Sequence, residues 1–173
     1  MKTKNPAPDL IDHLRREWRT ERPDLDTAAM DVVGRIILIS EALHRSVGST
    51  LEEFGLGYTD LDVLATLRRS GEPYRLRPAD LLRTVLIQSG SLTACLDRLE
   101  KREWIQRVET PGDRRSRSVQ LTAGGLELID RAIEARFQDA SRNLEALPRS
   151  DRRELGALLR RMLQGLQESE GAE

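Results

Sequence analysis

Three arginines and one aspartate share the five positions from Asp113 to Arg117. Guanidinium groups this close together repel one another and gain nothing from a hydrophobic core, so the cluster indicates a polyanionic partner such as the phosphates of DNA. Guanidinium groups on a narrow projection also suit insertion into a minor groove. The alternative that the residues leave open is a solvated surface loop.

Asp113 is the acidic member of this cluster, and it fits there if its carboxylate holds a neighbouring arginine pointing outward. The surrounding segment is basic, although the 173-residue chain has a formal net charge of −1. Between residues 98 and 118 seven basic residues (Arg98, Lys101, Arg102, Arg107, Arg114, Arg115, Arg117) stand against four acidic ones (Glu100, Glu103, Glu109, Asp113). Charge is therefore segregated along the chain.

The residues before the cluster predict two short helices joined by a tight turn, which is the helix-turn-helix pattern. Pro78 opens the first of these helices, because proline suits the first helical position. Ser89 or Ser91 caps the second helix, which continues to about Arg102. An earlier helix is predicted from the leucines after Thr59 or Asp60, either of which could cap it.

A β-hairpin is predicted directly after the second short helix. The segments 105–109 and 118–122 alternate polar and apolar residues on either side of Pro111 and Gly112. A hairpin in this position forms a wing, with Asp113 to Arg117 at its tip.

A helix laid in the DNA major groove contacts bases with side chains near its N-terminus. Those positions hold Ser89, Ser91, Thr93 and Ala94, with Arg98 one turn later. Small hydroxyl residues allow close approach and can bond base edges or phosphates. The alternative is that the serines only cap the helix.

Helices are also predicted on both sides of this centre. Apolar residues at helical spacing predict a short helix that ends before Pro23, and then a long helix from a cap at Asp26 to Gly55 or Gly57. Two further helices follow Ala123, separated at Pro148. The predicted fold is mainly α with a small β-hairpin wing: dimerisation helices over 1–57, a winged helix-turn-helix over 58–122, and C-terminal dimerisation helices over 123–173.

The composition narrows the class of protein. The chain is 38% apolar and 33% charged, with no long apolar run and no secretory signal, so we expect a cytoplasmic protein that does not contact membranes. His13 and His44 stand alone, and no phosphate-binding loop or nucleophile motif occurs, so we expect neither an enzyme nor a metal or other cofactor. Cys95 is the single cysteine. It suits a small packing residue better than an oxidant sensor.

The sequence resembles the MarR-type multidrug and ligand-responsive transcriptional regulators over nearly its whole length. The most specific segment is DRLEKREWIQRVETPGDRRSRSVQLTAGG, residues 97–125, with LDVLATLRRSG and SGSLT as supporting matches. The resemblance implies a homodimer that spans a palindromic site in double-stranded DNA with two recognition helices and two wings. It also implies that Arg115 enters the minor groove and that Asp113 orients it.

The segment EWRTERPDLD, residues 17–26, resembles the branch of this family that responds to urate or related anionic metabolites. By position, the resemblance implies that Trp18, Arg22 and Asp62 line an effector pocket. An aromatic ring with an arginine suits a planar anion. The alternative is that Trp18 packs in the core and Arg22 is a surface charge.

The sequence departs from the family pattern at three places. Ala94 and Cys95 replace an asparagine or basic residue, and Glu103 with Trp104 replaces Gly-Leu after the recognition helix. Glycine adopts a left-handed backbone conformation at little energetic cost, so with Glu103 in its place the turn would be either strained or rearranged. Arg77 replaces a small capping residue before the Pro78 helix, which weakens the cap but adds a phosphate contact.

These observations favour a ligand-responsive regulator, a repressor that its effector releases from DNA. The alternative, suggested by Ala94, Cys95 and Trp104, is a winged-helix dimer that has lost DNA binding and acts as a protein-interaction or ligand-binding module.

Overall fold

The computed structural model of the chain describes residues 7–85, 89–110 and 113–171. At residues 89–91, 110, 113–116 and 170 it describes the backbone and not the side chains. Its contacts divide the chain into two compact units, residues 1–49 and 50–173. No helix in the described ranges is both long enough and apolar enough to cross a membrane.

The first unit begins with helix α1, Leu10–Glu21. Asp9 caps it: the Asp9 carboxylate accepts the Asp12 N–H at 3.1 Å, and the Asp12 carboxylate accepts the Asp9 N–H at 3.0 Å. This reciprocal pair satisfies two amides that the first turn leaves without helical partners. The helix ends before Pro23, as predicted.

Helix α2 spans Met30–Glu52, so it begins three residues later than a cap at Asp26 predicts and ends before Gly55. The Asp26 carboxylate accepts the Ala28 N–H at 2.8 Å and so forms a turn instead of a helix cap. Within the first unit, Arg35 of α2 holds Asp9 and Asp12 at 2.8 and 3.0 Å. These ion pairs join α1 to α2.

The second unit contains five helices and three strands among the described residues. They are α3 (Tyr58–Arg69), β1 (Arg75–Leu76), α4 (Pro78–Leu82), α5 (Ser89–Lys101), β2 (Ile105–Thr110), β3 (Asp113–Leu121), α6 (Ala123–Arg142) and α7 (Arg149–Glu170). The strands form an antiparallel sheet in the order β1-β3-β2. The mainly helical fold with a β-hairpin wing is therefore confirmed, and β1 is an addition that the sequence pattern did not predict.

The core of the second unit consists of aliphatic side chains. Leu64, Leu67, Leu81, Leu99 and Ile129 are all fully buried. They come from α3, α4, α5 and α6, so one core holds the helix-turn-helix against the long helix that follows the wing. Leucine and isoleucine carry this packing because aromatic residues make up 3% of the chain.

Capping interactions fix where these helices begin. Pro78 is the first residue of α4, as predicted, and Arg77 before it makes no side-chain cap. The predicted caps of α3 are wrong: the cap position belongs to Gly57, and Asp60 lies one turn inside, where its carboxylate accepts the Gly57 N–H at 3.0 Å. Thr122 caps α6 by accepting the Gly125 N–H at 3.0 Å.

Helix α5 ends in a tight left-handed turn at Glu103. The Glu103 N–H bonds the Glu100 carbonyl at 2.9 Å and the Trp104 N–H bonds the Leu99 carbonyl at 3.1 Å, which together form a Schellman motif. Glu103 has a φ of +59°, in the region that glycine favours. The turn is therefore retained, with Glu103 in the strained left-handed conformation. Of the two alternatives, a strained turn or a rearranged one, the structure has the strained turn.

Candidate nucleic-acid interface

Helix α5 has one face in the core and the other in solvent. Leu92, Cys95, Leu96 and Leu99 are buried. Thr93, Ala94, Asp97, Arg98 and Lys101 are exposed. Ser89 and Ser91 are the first and third residues of the helix instead of lying before it, and their side chains lie outside the described part. The buried stripe fixes the helix so that its other face can meet DNA.

Cys95 lies on the buried face, so it does not occupy a base-contacting position. Its thiol donates hydrogen bonds to the Asp60 carboxylate at 3.3 Å and to the Thr59 carbonyl at 3.8 Å. Burial raises the pKa of the Cys95 thiol to about 12, and the Asp60 carboxylate adds to this rise. Of the two departures in this helix, Ala94 alone therefore lies on the exposed face.

Arg98 is held by a carboxylate from α3. Its Nη2 and Nε donate to Asp60 Oδ1 at 2.5 and 3.2 Å, and 47% of the Arg98 side chain remains exposed. Burial by itself raises the pKa of Asp60, but the hydrogen bonds from Arg98, Gly57 and Cys95 outweigh it and hold that pKa below its usual value. Arg98 and Asp60 are therefore both charged at neutral pH.

Arg107 of β2 covers the acidic residues of the recognition helix. It pairs with Asp97, and its Nε lies 3.4 Å from Glu100 Oε2. The two carboxylates would otherwise repel phosphates approaching this face. Arg107 is thus engaged within the protein, and the resemblance-based interpretation did not assign it a role.

Two exposed arginines flank α4. Arg77 is the cap residue before the helix and Arg83 follows its last turn. Within the described residues neither forms an ion pair. Arg77 was predicted to contact phosphate. Arg83 was not predicted as a site residue, although its position in the turn of the helix-turn-helix indicated that it could also contact DNA. The carbonyl of Thr84 is bound by Arg69 Nη2 at 3.0 Å, which fixes the end of this turn.

The wing differs from the predicted hairpin in where its second strand begins. β3 starts at Asp113, so the basic cluster belongs to the strand and not to a loop. Glu109 pairs with Arg117 and Thr110 pairs with Asp113, so residues 114–116 form a bulge opposite two adjacent residues of β2. Arg117 is exposed. The side chains of Asp113, Arg114 and Arg115 lie outside the described residues.

The three predicted effector residues fall in both units. Trp18 is 47% exposed on α1, so it does not pack in the core of the described chain. Arg22 donates from Nε and Nη2 to the two oxygens of Asp24 at 2.8 and 2.7 Å, and these hydrogen bonds raise the pKa of Arg22. Asp62 is a half-buried residue of α3 in the second unit.

Comparison with known proteins identifies the family. A model described as MarR family matches residues 54–116, from just after α2 into β3. The transcriptional regulator PecS of Dickeya dadantii is 36% identical over 152 residues, which cover 88% of this chain and 92% of PecS. The chain belongs to the MarR family.

Solved MarR-family structures share its fold. Sco3205 of Streptomyces coelicolor, in complex with DNA, superposes with a TM-score of 0.71 at 26% identity and covers 82% of this chain and 94% of its own. The multiple antibiotic resistance protein MarR of Escherichia coli K12 is 26% identical over 113 residues, 65% of this chain and 76% of that protein. The relatives are transcriptional regulators and not enzymes. The urate-responsive branch of the MarR family is a finer assignment that stays a prediction.

Proposed function

We propose that this MarR-family chain is a ligand-responsive repressor that binds a palindromic operator as a homodimer. The observation that carries the proposal is the orientation of α5. Its apolar face is buried, and it turns Thr93, Ala94 and Arg98 to solvent immediately before the β2–β3 wing. A helix held in this way, with an adjacent basic hairpin, suits the major groove with a flanking minor groove.

Each residue of the wing has a proposed role. Arg115 enters the minor groove, Asp113 orients it, and Arg114 and Arg117 contact the phosphate backbone. The bulge at 114–116 supports these roles, because a bulge directs side chains away from the regular alternation of a strand. Arg77, Ser89, Ser91 and Thr93 supply further contacts at the helix N-termini.

A salt titration of DNA binding tests the wing. The DNA upstream of the chain's own gene serves as probe, with wild-type protein and Arg115→Ala. The substitution is expected to weaken binding and to reduce the slope of log K against log salt by about 0.9 for each phosphate that the protein no longer neutralises. Arg153→Ala, an exposed arginine of α7, serves as the matched control. Unchanged affinity and slope in Arg115→Ala would contradict the wing assignment.

The homodimer is supported by apolar side chains that the described chain leaves in solvent. On α2 these are Val32, Val33, Ile37, Leu38, Ile39 and Leu43; on α7 they are Leu155, Leu158, Leu159, Met162, Leu163 and Leu166. So many exposed leucines and isoleucines on two helices are typical of an interface and not of a free surface. A second copy of the chain is the partner that the family implies.

The proposed effector is a planar anion such as urate, bound near Trp18 and Arg22 of the first unit; the role of Asp62 stays a prediction from the family resemblance. The exposure of Trp18 leaves its ring free to stack on a ligand. Arg22 would have to leave Asp24 to bind the anion. Calorimetric titration of urate into wild-type protein and Trp18→Ala tests this site: heat from the wild type alone is expected, and equal heats would dismiss the pocket.

The alternative function, a winged-helix dimer without DNA binding, is favoured by Ala94, which offers no polar group at an exposed position of α5. The same DNA titration separates the two functions. A wild-type protein that binds neither its own upstream DNA nor a random duplex would favour the interaction module.

A further inference from the structure

Asp60 is a buried carboxylate with an unusually complete set of donors. It is 4% exposed. Its Oδ2 accepts the Gly57 N–H at 3.0 Å, and its Oδ1 accepts Arg98 Nη2 at 2.5 Å, Arg98 Nε at 3.2 Å and the Cys95 thiol at 3.3 Å. A buried carboxylate is tolerated only when hydrogen bonds and an opposite charge compensate for its lost hydration. Asp60 therefore ties the start of α3 to the middle of α5.

Arg98 is the exposed end of this connection. It lies one helical turn after Ala94 on the solvent face of α5, and its side chain is about half exposed, whereas that of Asp60 is 6% exposed. The pair is thus asymmetric: the carboxylate faces inward, and the guanidinium spans from the core to the surface. Arg98 uses its Nε and Nη2 in this contact, and among the described residues no acceptor holds Nη1.

The geometry constrains the guanidinium plane. Because two nitrogens of one guanidinium converge on a single oxygen of a fixed carboxylate, the side chain cannot rotate freely about its terminal bonds. A lysine at the same position would meet Asp60 as a point charge without a defined plane. The contact leaves one edge of a pre-oriented guanidinium available at the surface that faces DNA.

We infer that Asp60 is a positioning residue for DNA binding, which acts by holding Arg98 of the recognition helix in the orientation that contacts the operator. The inference rests on the proposed DNA-binding function and extends it to a residue of α3 that does not itself reach the surface. The opposite effect of the same contact would be sequestration, in which Asp60 withdraws Arg98 from DNA. Loss of the Asp60 carboxylate would weaken DNA binding in the first case and strengthen it in the second.

A double-mutant cycle tests the inference. Binding to the upstream DNA is measured for wild type, Asp60→Asn, Arg98→Ala and the double variant at one salt concentration. Asp60→Asn is expected to weaken binding about threefold per protomer, hence about tenfold for the dimer, because the arginine must then be ordered on binding. In the Arg98→Ala background, Asp60→Asn is expected to cause no further loss, because Asp60 acts through Arg98.

A control for charge is needed because Asp60→Asn also makes the protein more positive. Asp130→Asn makes the same change in charge and breaks a solvent-exposed pair with Arg68, at 2.6 Å, outside the recognition helix. It is expected to leave DNA affinity unchanged or slightly raised. Thermal unfolding of each variant shows whether it is folded.

A second variant keeps the test decisive if Asp60→Asn does not fold. Arg98→Lys retains the charge and leaves Asp60 a cationic partner but removes the planar contact, so it is expected to bind nearly as weakly as Arg98→Ala. Wild-type affinity in Arg98→Lys, tighter binding in Asp60→Asn, or an equal loss from Asp60→Asn in both backgrounds would each overturn the positioning role. If the wild type did not bind DNA, the proposed function would be overturned as well. If Arg115→Ala weakened DNA binding but the losses from Asp60→Asn and Arg98→Ala were simply additive, the positioning role alone would be overturned.

Discussion

Cys95 illustrates how the position of a residue decides its chemistry. Its thiol is buried and donates to the Asp60 carboxylate, and burial first and that carboxylate second raise its pKa to about 12. The thiolate is the form that reacts with oxidants, so the thiol is protonated and unreactive at neutral pH. These facts favour packing over oxidant sensing. The direct test treats the DNA complexes of wild type and Cys95→Ser with peroxide and measures their dissociation. Release of DNA by the wild type alone would support an oxidant sensor.

The raised pKa of Cys95 predicts a loss of stability at alkaline pH. Above the ordinary thiol pKa the unfolded chain loses this proton while the folded chain keeps it, so rising pH favours unfolding until the folded pKa of about 12 is reached. From about pH 8 to about pH 10, the free energy of unfolding of the wild type is therefore expected to fall more steeply than that of Cys95→Ala. Urea denaturation at each pH measures this difference. Parallel curves would contradict the prediction.

Glu103 carries backbone strain that glycine would relieve. Its φ of +59° lies in the left-handed region, which costs a residue with a Cβ roughly 1–2 kcal/mol. Glu103→Gly is expected to raise the free energy of unfolding by about 0.5–1 kcal/mol, since glycine's greater freedom in the unfolded chain offsets part of the gain. The control Lys101→Gly, in the last helical residue of α5, is expected to lower it by a similar amount. Urea denaturation that shows the same sign for both variants would refute this interpretation.

At the scale of elements, the contact between α6 and the turn after α5 depends on one glycine. A Cβ built on Gly125 would lie 1.9 Å from the carbonyl oxygen of Trp104, whereas a Cβ on Gly124 would meet its nearest atom, Thr122 Oγ1, at 4.0 Å. A methyl group at residue 125 must therefore push the first turn of α6 away from the turn after α5. The adjacent glycine provides a matched comparison in the same turn.

Gly125→Ala is expected to destabilise the protein by about 3 kcal/mol, because backbone atoms and not a flexible side chain must move. Gly124→Ala is expected to be neutral or to stabilise by up to about 1 kcal/mol, since alanine has the higher helix propensity. Thermal or urea denaturation of both variants measures the difference. Equal stabilities would show that the close approach of α6 to Trp104 is not present in solution.

At the scale of the whole molecule, the proposed homodimer can be tested on α7. Leu159, Met162 and Leu166 follow one another at steps of three and four along this helix, so they lie on one face, and each is more than a third exposed in the described chain. Gln164 lies on the opposite face. A charge placed on the first face would be buried by a partner, whereas a charge on the second would remain in water.

Leu166→Glu is expected to shift the protein from dimer to monomer at micromolar concentrations and to abolish binding to a two-half-site operator, because an unpaired charge would be buried in the interface. Gln164→Glu adds the same charge and is expected to remain dimeric. Sedimentation velocity of both variants provides the measurement. A dimeric Leu166→Glu that still binds the operator would show that α7 does not form the interface.

The sequence by itself determined the elements whose signals are local. Pro78 marked the first residue of α4, the alternation after Ile105 marked the wing, and the helical spacing of apolar residues after Ala123 marked α6. Each depends on backbone chemistry within a few residues, so no knowledge of the rest of the chain was needed. The family resemblance, carried most specifically by residues 97–125, overlaps the segment 54–116 that the family model matches.

The tertiary structure alone decided the features that depend on distant partners. Strand β1 has two residues and exists because Arg75 and Leu76 pair with Gln120 and Val119, far along the chain. The direction of Cys95 depends on which face of α5 meets the core, and Glu103 keeps its left-handed turn because two helix carbonyls hold it. Asp60 and Arg98 are 38 residues apart and meet because α3 and α5 pack together. Such contacts arise from the packing of whole elements, which residue spacing along one segment does not encode.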